Sequence, residues 1–306
     1  MSAGGEFELI DWIRAQVSGD PRLTIGIGDD AAAFRMLPDR DCLVATDMLM
    51  EGVHFTLPEA AAEQIGRKAL GVNLSDMAAM AGRPLAAFVS VGLPRRCGAD
   101  FARGLHTGLQ RLADEYSAVV AGGDTNVWDG PLVVNVTVLG ETTGDRAVRR
   151  NGARAGDWIM VTGQLGGSIH GRQFTFTPRV REAIALHSAV ELHAMIDVSD
   201  GLSADLHHIL RESNVGAILR AEAIPVAADA SVNDNRTTLE HALGDGEDFE
   251  LLFTVSPEDG KRLQQSPPVD VQFAHIGEIV AGAGCDIIEE GGELRPLAPS
   301  GWQHDF

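Results

Sequence analysis

The feature that most constrains this chain is the alternation of short β-type apolar runs with longer stretches of helical period. Leu43-Val44-Ala45 predicts a brief strand ending at Thr46-Asp47. From Glu59 to Ala81, residues Ile65, Ala69, Val72, Asp76 and Met80 recur at steps of three and four, which is one face of a helix. Leu85 to Leu93 reads as a strand covered on both faces. Phe101, Leu105, Leu109, Leu112 and Tyr116 mark a second amphipathic helix. Ala118 to Val120 enters a predicted loop at Gly122-Gly123-Asp124, and Leu132 to Leu139 is a long β-type run. The polar, Gly-containing stretch Arg149 to Asp157 interrupts the pattern, so we expect domains at 1–148 and 149–306.

The second half restarts with strand Trp158 to Val161 and a Gly-rich turn from Gly163 to Ser168. Met195 to Val198, a helix from Leu202 to Arg211 and strand Ala217 to Leu219 follow. Phe249, Leu251, Phe253 and Val255 alternate as in a half-buried strand. The expected class is α/β with α+β character, in two domains of mixed sheets flanked by helices, with parallel and antiparallel pairing both open.

Charge and cysteine content narrow the function. The 306 residues carry 24 Lys+Arg against 44 Asp+Glu, a net charge of −20, which disfavours nucleic acid and anionic membrane surfaces as partners. No run approaches the roughly 18 apolar residues of a membrane span. Cys42, Cys97 and Cys285 have no CxxC spacing and read as reduced thiols of a cytoplasmic protein.

The acids are placed informatively. Asp29-Asp30 follow Thr24-Ile25, Asp47 follows Leu43 to Ala45, and Asp124 follows Ala118 to Val120, while Asp197 and Asp200 frame Val198-Ser199. Asp76 puts a carboxylate on the inward stripe of the first long helix, one turn from Asn73. Each alone reads as a turn former or helix cap, and Asp30 and Asp200 are both placed to cap. As a set facing one cleft they would repel one another without a cation. Oxygen ligands without clustered His or Cys favour Mg²⁺, which shares its remaining positions with water and phosphate. His54, Arg150, Glu247 and Trp302 are isolated polar or aromatic candidates, each structural when taken alone.

Competing motifs fit less well. There is no GxxxxGK[ST]. Gly26 to Ala31 matches GxGxx[GA], but the short Pro38-containing stretch before the next strand is too brief for a crossover helix. Asp124-Thr125-Asn126 with Asp129-Gly130 imitates a calcium loop, yet its twelfth position is Asn135 instead of Glu.

Taken in order, the segments GEFELI (Gly5 to Ile10), GIGDDAA (Gly26 to Ala32), ATDMLMEGVHF (Ala45 to Phe55) and KALGVNLSDMAAMAGRP (Lys68 to Pro84) resemble the thiamine-monophosphate kinase family. The resemblance continues through GGDT (Gly122 to Thr125), RNGARAGDWIMVTG (Arg150 to Gly163), IDVSDGLSADL (Ile196 to Leu206), GEDFELLFT (Gly246 to Thr254) and the terminal GWQHDF. It implies the two-domain fold of the aminoimidazole-ribonucleotide synthetases, a homodimer, and transfer of the γ-phosphoryl of ATP to thiamine monophosphate with several Mg²⁺ ions. By motif, Asp30, Thr46, Asp47, Asp76, Asp124, Asp197 and Asp200 would be metal ligands. Gly123, Asp124, Arg150 and Ser199 would contact ATP, and His54, Glu247 and Trp302 would hold the thiamine phosphate.

The chain departs from the family at Ala45, where Ser is common, and in a shortened stretch from Gly166 to Met195 that keeps only Thr177-Pro178-Arg179 of a Pro-Arg segment. The alternatives are another ATP-dependent synthetase of the superfamily and, from another class, a dinucleotide-dependent oxidoreductase or a non-catalytic metal-binding protein.

Overall fold

The structure is a computed structural model that describes residues 38–302 together with 12–13, 15–16, 20–25, 33–34 and 36. The chain forms two compact units, one of Met1–Met77 with Arg83–Asp145 and the other of Ala78–Gly82 with Arg146–Phe306.

In the first unit, β1 (Leu23–Ile25) pairs antiparallel with β2 (Ala33–Phe34). The two strands lie on either side of the Gly26-to-Ala32 segment in sequence, and their antiparallel pairing is not the parallel crossover that a dinucleotide fold requires. The main sheet has four strands: β3 (Cys42–Met50), β4 (Gly82–Pro94), β5 (Val119–Trp128) and β6 (Val133–Thr142). Their order is β3-β6-β4-β5. β3 runs antiparallel to β6, from Cys42 opposite Glu141 to Met50 opposite Val133, whereas β4 and β5 are parallel.

Two helices, α1 (Ala62–Ala79) and α2 (Gly98–Glu115), belong to this unit. They meet backbone to backbone: a Cβ on Gly66 would stand 1.9 Å from Leu105 O, and one on Gly108 1.9 Å from Glu63 O. Glycine is needed there for closeness, not for torsional freedom. The inward stripe of α1 is buried at Ile65, Ala69 and Val72. Met80 is exposed instead, because α1 has ended and Ala81 turns left-handed at φ 52°.

Two strand boundaries differ from expectation. β3 runs on through Thr46 and Asp47 to Met50, and β5 runs through Gly122-Gly123-Asp124 to Trp128. Both are edge strands with solvent-facing positions, so polar residues interrupt the apolar run without ending the ladder. A bulge at Ala121, skipped between Val120 and Gly122 in the register with β4, reconciles the Gly-rich stretch with pairing.

The second unit holds β7 (Trp158–Thr162), α3 (Val180–Ala189), β8 (Ala194–Asp197), α4 (Leu202–Ser213) and β9 (Gly216–Arg220). It continues with α5 (Thr238–Gly244), β10 (Leu251–Val255), α6 (Pro257–Gln265), β11 (Phe273–Val280), β12 (Gly284–Ile288) and β13 (Leu294–Pro296). The seven strands follow the order β13-β12-β9-β11-β7-β10-β8, antiparallel except for β12 beside β9. Ile159, Val161, Ile196, Leu206, Leu252 and Ile276 form its core.

The half-buried alternation expected from Phe249 to Val255 is not what forms. All five β10 residues are buried: β7 and β8 pair along both edges of the strand, Leu252 lies in the core, and Thr254 Oγ1 accepts from Ala194 N at 3.1 Å. Phe249 lies outside the strand in a left-handed conformation, φ 52°. No helix among the described residues is long and apolar enough to cross a membrane.

Candidate active site

Each unit presents its own group of the residues singled out above, and Asp30 lies outside the described residues. In the first unit the pleat of β3 sends Thr46 and Asp47 to opposite faces. Thr46 Oγ1 lies 3.3 Å from Val136 O and 2.9 Å from Thr137 Oγ1, and Asn135 Nδ2 donates to it at 3.3 Å. The same Nδ2 donates to Asp47 O at 3.1 Å, fixing the main chain at this point. On the other face, Asp47 bonds through its carboxyl to Asp76 of α1. Burial pushes Asp47 above the usual carboxylate range, with the bond to Asp76 opposing. Two carboxyl groups in contact require a shared proton or a cation, and this supplies the structural test of fit for a hard divalent metal.

Gly123 and Asp124 sit opposite Val89 and Ser90 on β5. A Cβ on Gly123 would stand 1.9 Å from Val89 O, so the strand approaches β4 only because this residue is glycine. Asp124 is exposed and accepts from Asn126 Nδ2 at 2.9 Å. β3 and β5 are opposite edges of the sheet. Asp47 and Asp124 therefore stand on strands with β6 and β4 between them.

His54 follows β3 in a turn. Met50 N donates to its Nδ1 at 3.0 Å, which makes Nδ1 the acceptor and leaves Nε2 as the donor. Lys68 of α1, fully buried, donates from Nζ to His54 O at 2.9 Å. Sequence reasoning missed Lys68, although a lysine among the apolar positions Ile65, Ala69 and Val72 was a visible signal.

In the second unit, Asp197 ends β8 with 3% of its surface exposed. Asp205, in the first turn of α4, accepts at Oδ2 from Ser199 N, Asp200 N and Gly201 N at 3.0, 3.1 and 3.1 Å. It thus ties the preceding loop back to the helix start; Gly201 is the N-cap, and no side chain, that of Asp200 included, caps α4. Asp200, Asp205 and His208 each bring a potential ligand atom within 4.8 Å of the others. Burial, then the charges of Asp197 and Asp200, push Asp205 up to about 8 despite the backbone N–H bonds. A divalent cation would reverse the sign of that crowding. Burial, followed by Arg211 and Arg150, moves His208 below the usual imidazole range. Neither Asp205 nor His208 was singled out from sequence, though both fall in or beside the IDVSDGLSADL segment.

Glu247 and Trp302 join this loop through the backbone. Glu247 N donates to Ser199 O at 2.7 Å, and Trp302 N to Asp200 O at 3.0 Å. The Trp302 ring is about half exposed, at 51%. Arg150 is exposed, and its carbonyl accepts from Ser213 Oγ at 2.8 Å at the end of α4. Asp197, Ser199, Asp200, Glu247 and Trp302 therefore form one neighbourhood, with Arg150 reaching His208 electrostatically. The arrangement offers hard oxygen ligands, a cation for phosphate, an acid and an exposed aromatic residue.

Comparison with known proteins places this geometry. Residues 28–142 match the N-terminal domain, and residues 154–289 the C-terminal domain, of AIR synthase related proteins. The thiamine-monophosphate kinase of Rhodopirellula baltica is 37% identical over 309 residues, covering 98% of this chain and 97% of that protein. That of Bacillus subtilis is 34% identical over 85% of this chain and 86% of the relative. Among solved structures, the thiamine-monophosphate kinase of Stenotrophomonas maltophilia superposes with a TM-score of 0.83 at 35% identity, over 94% of this chain and 97% of that one. The complex of AaThiL with AMPPCP and TMP gives a TM-score of 0.77 at 28% identity, over 98% and 97% of the two chains.

Proposed function

The chain belongs to the thiamine-monophosphate kinases among the AIR synthase related proteins, and from that premise we propose that it makes thiamine diphosphate and ADP from thiamine monophosphate and ATP. The observation that carries this reading is the single loop Ser199-Asp200, tied to Glu247 on one side and Trp302 on the other. The main chain of the proposed phosphate-directed loop is thereby bonded directly to that of both proposed thiamine-directed residues.

The chemistry asks for positioning and charge control. The attacking oxygen belongs to a phosphate that is already anionic, so no side-chain nucleophile and no strong general base are required. Arg150 and Ser199 are the proposed ATP contacts of the second unit, and Gly123 and Asp124 those of the first. Glu247 and the Trp302 face receive the cationic thiazolium, by charge and by cation–π attraction. His54 presents Nε2–H as a donor to the acceptor phosphate, its ring set by Met50 N.

The carboxylates fit Mg²⁺ on donor type and on the crowding of Asp47 with Asp76 and of Asp197, Asp200 and Asp205. When bound, the ions offset the repulsion between the two phosphate groups. Asp47, Asp76 and Asp124 would hold metal in the first unit, and Asp197 and Asp200 in the second. Asp30 completes the proposed set. For Thr46, whose side chain is engaged with Val136 and Thr137, a ligand role would fall to its main chain.

A homodimer is part of the proposal. Both edges of the four-stranded sheet are long and carry exposed apolar side chains: Val44, Met48 and Met50 on β3, Val127 and Trp128 on β5. Exposed edges of this kind call for a cover. The three free cysteines agree with a cytoplasmic location.

Incubation with Mg-ATP and thiamine monophosphate, followed by chromatography, tests the reading. We expect ADP and thiamine diphosphate in equal amounts. ADP without thiamine diphosphate would point to another synthetase of the superfamily.

A further inference from the structure

The segment Gly246-Glu247-Asp248-Phe249-Glu250 is held in an unfavourable shape. Glu247 has φ 59° and Phe249 φ 52°, both left-handed without being glycine. Such residues are strained and persist only where surrounding contacts enforce them. On one side the backbone is zipped to the active-site loop: Glu247 N to Ser199 O, Phe249 N to Val198 O, and Val198 N to Glu250 O, at 2.7–2.8 Å.

On the other side, each of the three residues after Glu247 is gripped by the shortened stretch. Asp248, buried, accepts from Gly166 N at 3.1 and 2.9 Å and from Arg172 Nη2 at 3.1 Å. Arg172 is itself fixed by Gly166 O, Gln164 O and Asp229. Phe249 stacks on Phe176, with centroids 4.2 Å apart. Glu250 receives the fork of Arg179, Nε at 2.7 Å and Nη2 at 2.6 Å, and the hydroxyl of Thr162 at 2.6 Å. Arg172, Phe176 and Arg179 thus meet Asp248, Phe249 and Glu250 one to one.

We propose that Arg172, Phe176 and Arg179 are positioning residues that brace the left-handed turn and so fix the Glu247 carboxyl for the cationic ring of the acceptor substrate. The proposal deepens the kinase reading and rests on its assignment of Glu247. The three braces grip Asp248, Phe249 and Glu250. Their effect passes through Glu247, so it falls on the acceptor and spares ATP. The shortened stretch keeps its Pro-Arg segment because Arg179 is one of the braces.

The test compares wild type, Arg179→Met, Glu247→Gln and the double variant, with Phe176→Leu as a milder brace lesion should Arg179→Met fold poorly. Steady-state kinetics with thiamine monophosphate and ATP should show a rise of about tenfold in KM for thiamine monophosphate in Arg179→Met, with KM for ATP and kcat within about twofold. In the Glu247→Gln background the same change should add nothing, since the brace acts through that carboxyl. Amide hydrogen exchange at Glu247 and Phe249 should accelerate in both brace variants, which reads the brace without any turnover. Parallel rises in both KM values, additivity with Glu247→Gln, or unchanged exchange would each overturn the proposal. Absence of thiamine diphosphate from wild type would instead sink the kinase reading and leave the brace to be judged by exchange alone.

Discussion

Asp205 should show a stability contribution that changes size with Mg²⁺. Its Oδ2 takes three backbone N–H groups from Ser199 to Gly201, at 3.0–3.1 Å. At about 1 kcal/mol net per hydrogen bond, Asp205→Ala forfeits about 3 kcal/mol. Against this stands repulsion from Asp200, whose ligand atom lies within 4.8 Å. Two full charges at that distance repel by about 3.5 kcal/mol at an effective dielectric of 20.

The pKa of Asp205 is raised from 3.8 to about 8, so its contribution favours folding at low pH and is lost as pH climbs through 8. At pH 9 without metal, the lost bonds and the relieved repulsion nearly cancel, and Asp205→Ala should unfold close to wild type. With saturating Mg²⁺ the repulsion is already offset and the full loss of about 3 kcal/mol appears, about 6–12 °C in Tm for a unit of this size. Asp205→Asn keeps an acceptor without the charge, and should match or exceed wild type without metal. Thermal unfolding followed by circular dichroism, with EDTA and with Mg²⁺, reads all three. An equal loss in both conditions would refute the reasoning.

Other consequences follow from the same geometry. Asp47→Asn relieves the contact with Asp76, so metal-free Tm should hold or rise while Mg²⁺-dependent stabilisation disappears and kcat falls by about 100-fold, or about 2.7 kcal/mol; calorimetry with and without Mg²⁺, beside kinetics, checks both. Burial raises Asp248 to about 7 even though Gly166 N–H and Arg172 oppose it, so its contribution is lost as pH rises from about 4 through 7; the fall in Tm over that window should be shallower in Asp248→Asn. Gly123→Ala drives a methyl into Val89 O and should cost about 2–3 kcal/mol in denaturant titration, whereas Gly122→Ala, whose nearest atom is a Phe88 ring carbon at 3.5 Å, should cost clearly less.

The fold was legible where burial is one-sided or complete over a long run. The stripe Ile65, Ala69, Val72 located α1, and the apolar runs located β4 and β6. Legibility failed at the sheet edges, where exposed Thr46 and Asp124 looked like strand ends although the ladders continue past them. It failed again at β10, where alternating large residues suggested one wet face but neighbours on both sides bury the whole strand.

For the site, motif order marked Asp197, Ser199, Asp200, Glu247 and Trp302, and the structure gathers these five. Local spacing could not show that Asp205 staples the loop from the far side of a helix start. Still less could it show Arg172 meeting Asp248 across 76 residues, or Arg179 meeting Glu250 across 71. Such pairings belong to the tertiary fold, and no periodicity encodes them.

In the proposed reaction the γ-phosphoryl group passes directly between two bound phosphates. A single-turnover quench with γ-³²P-ATP, Mg²⁺ and thiamine monophosphate tests it most directly. Label is expected in the terminal phosphate of thiamine diphosphate, one per ATP consumed, with none on the protein at any time. Label trapped on the polypeptide before product forms, or released as inorganic phosphate in place of thiamine diphosphate, would contradict it.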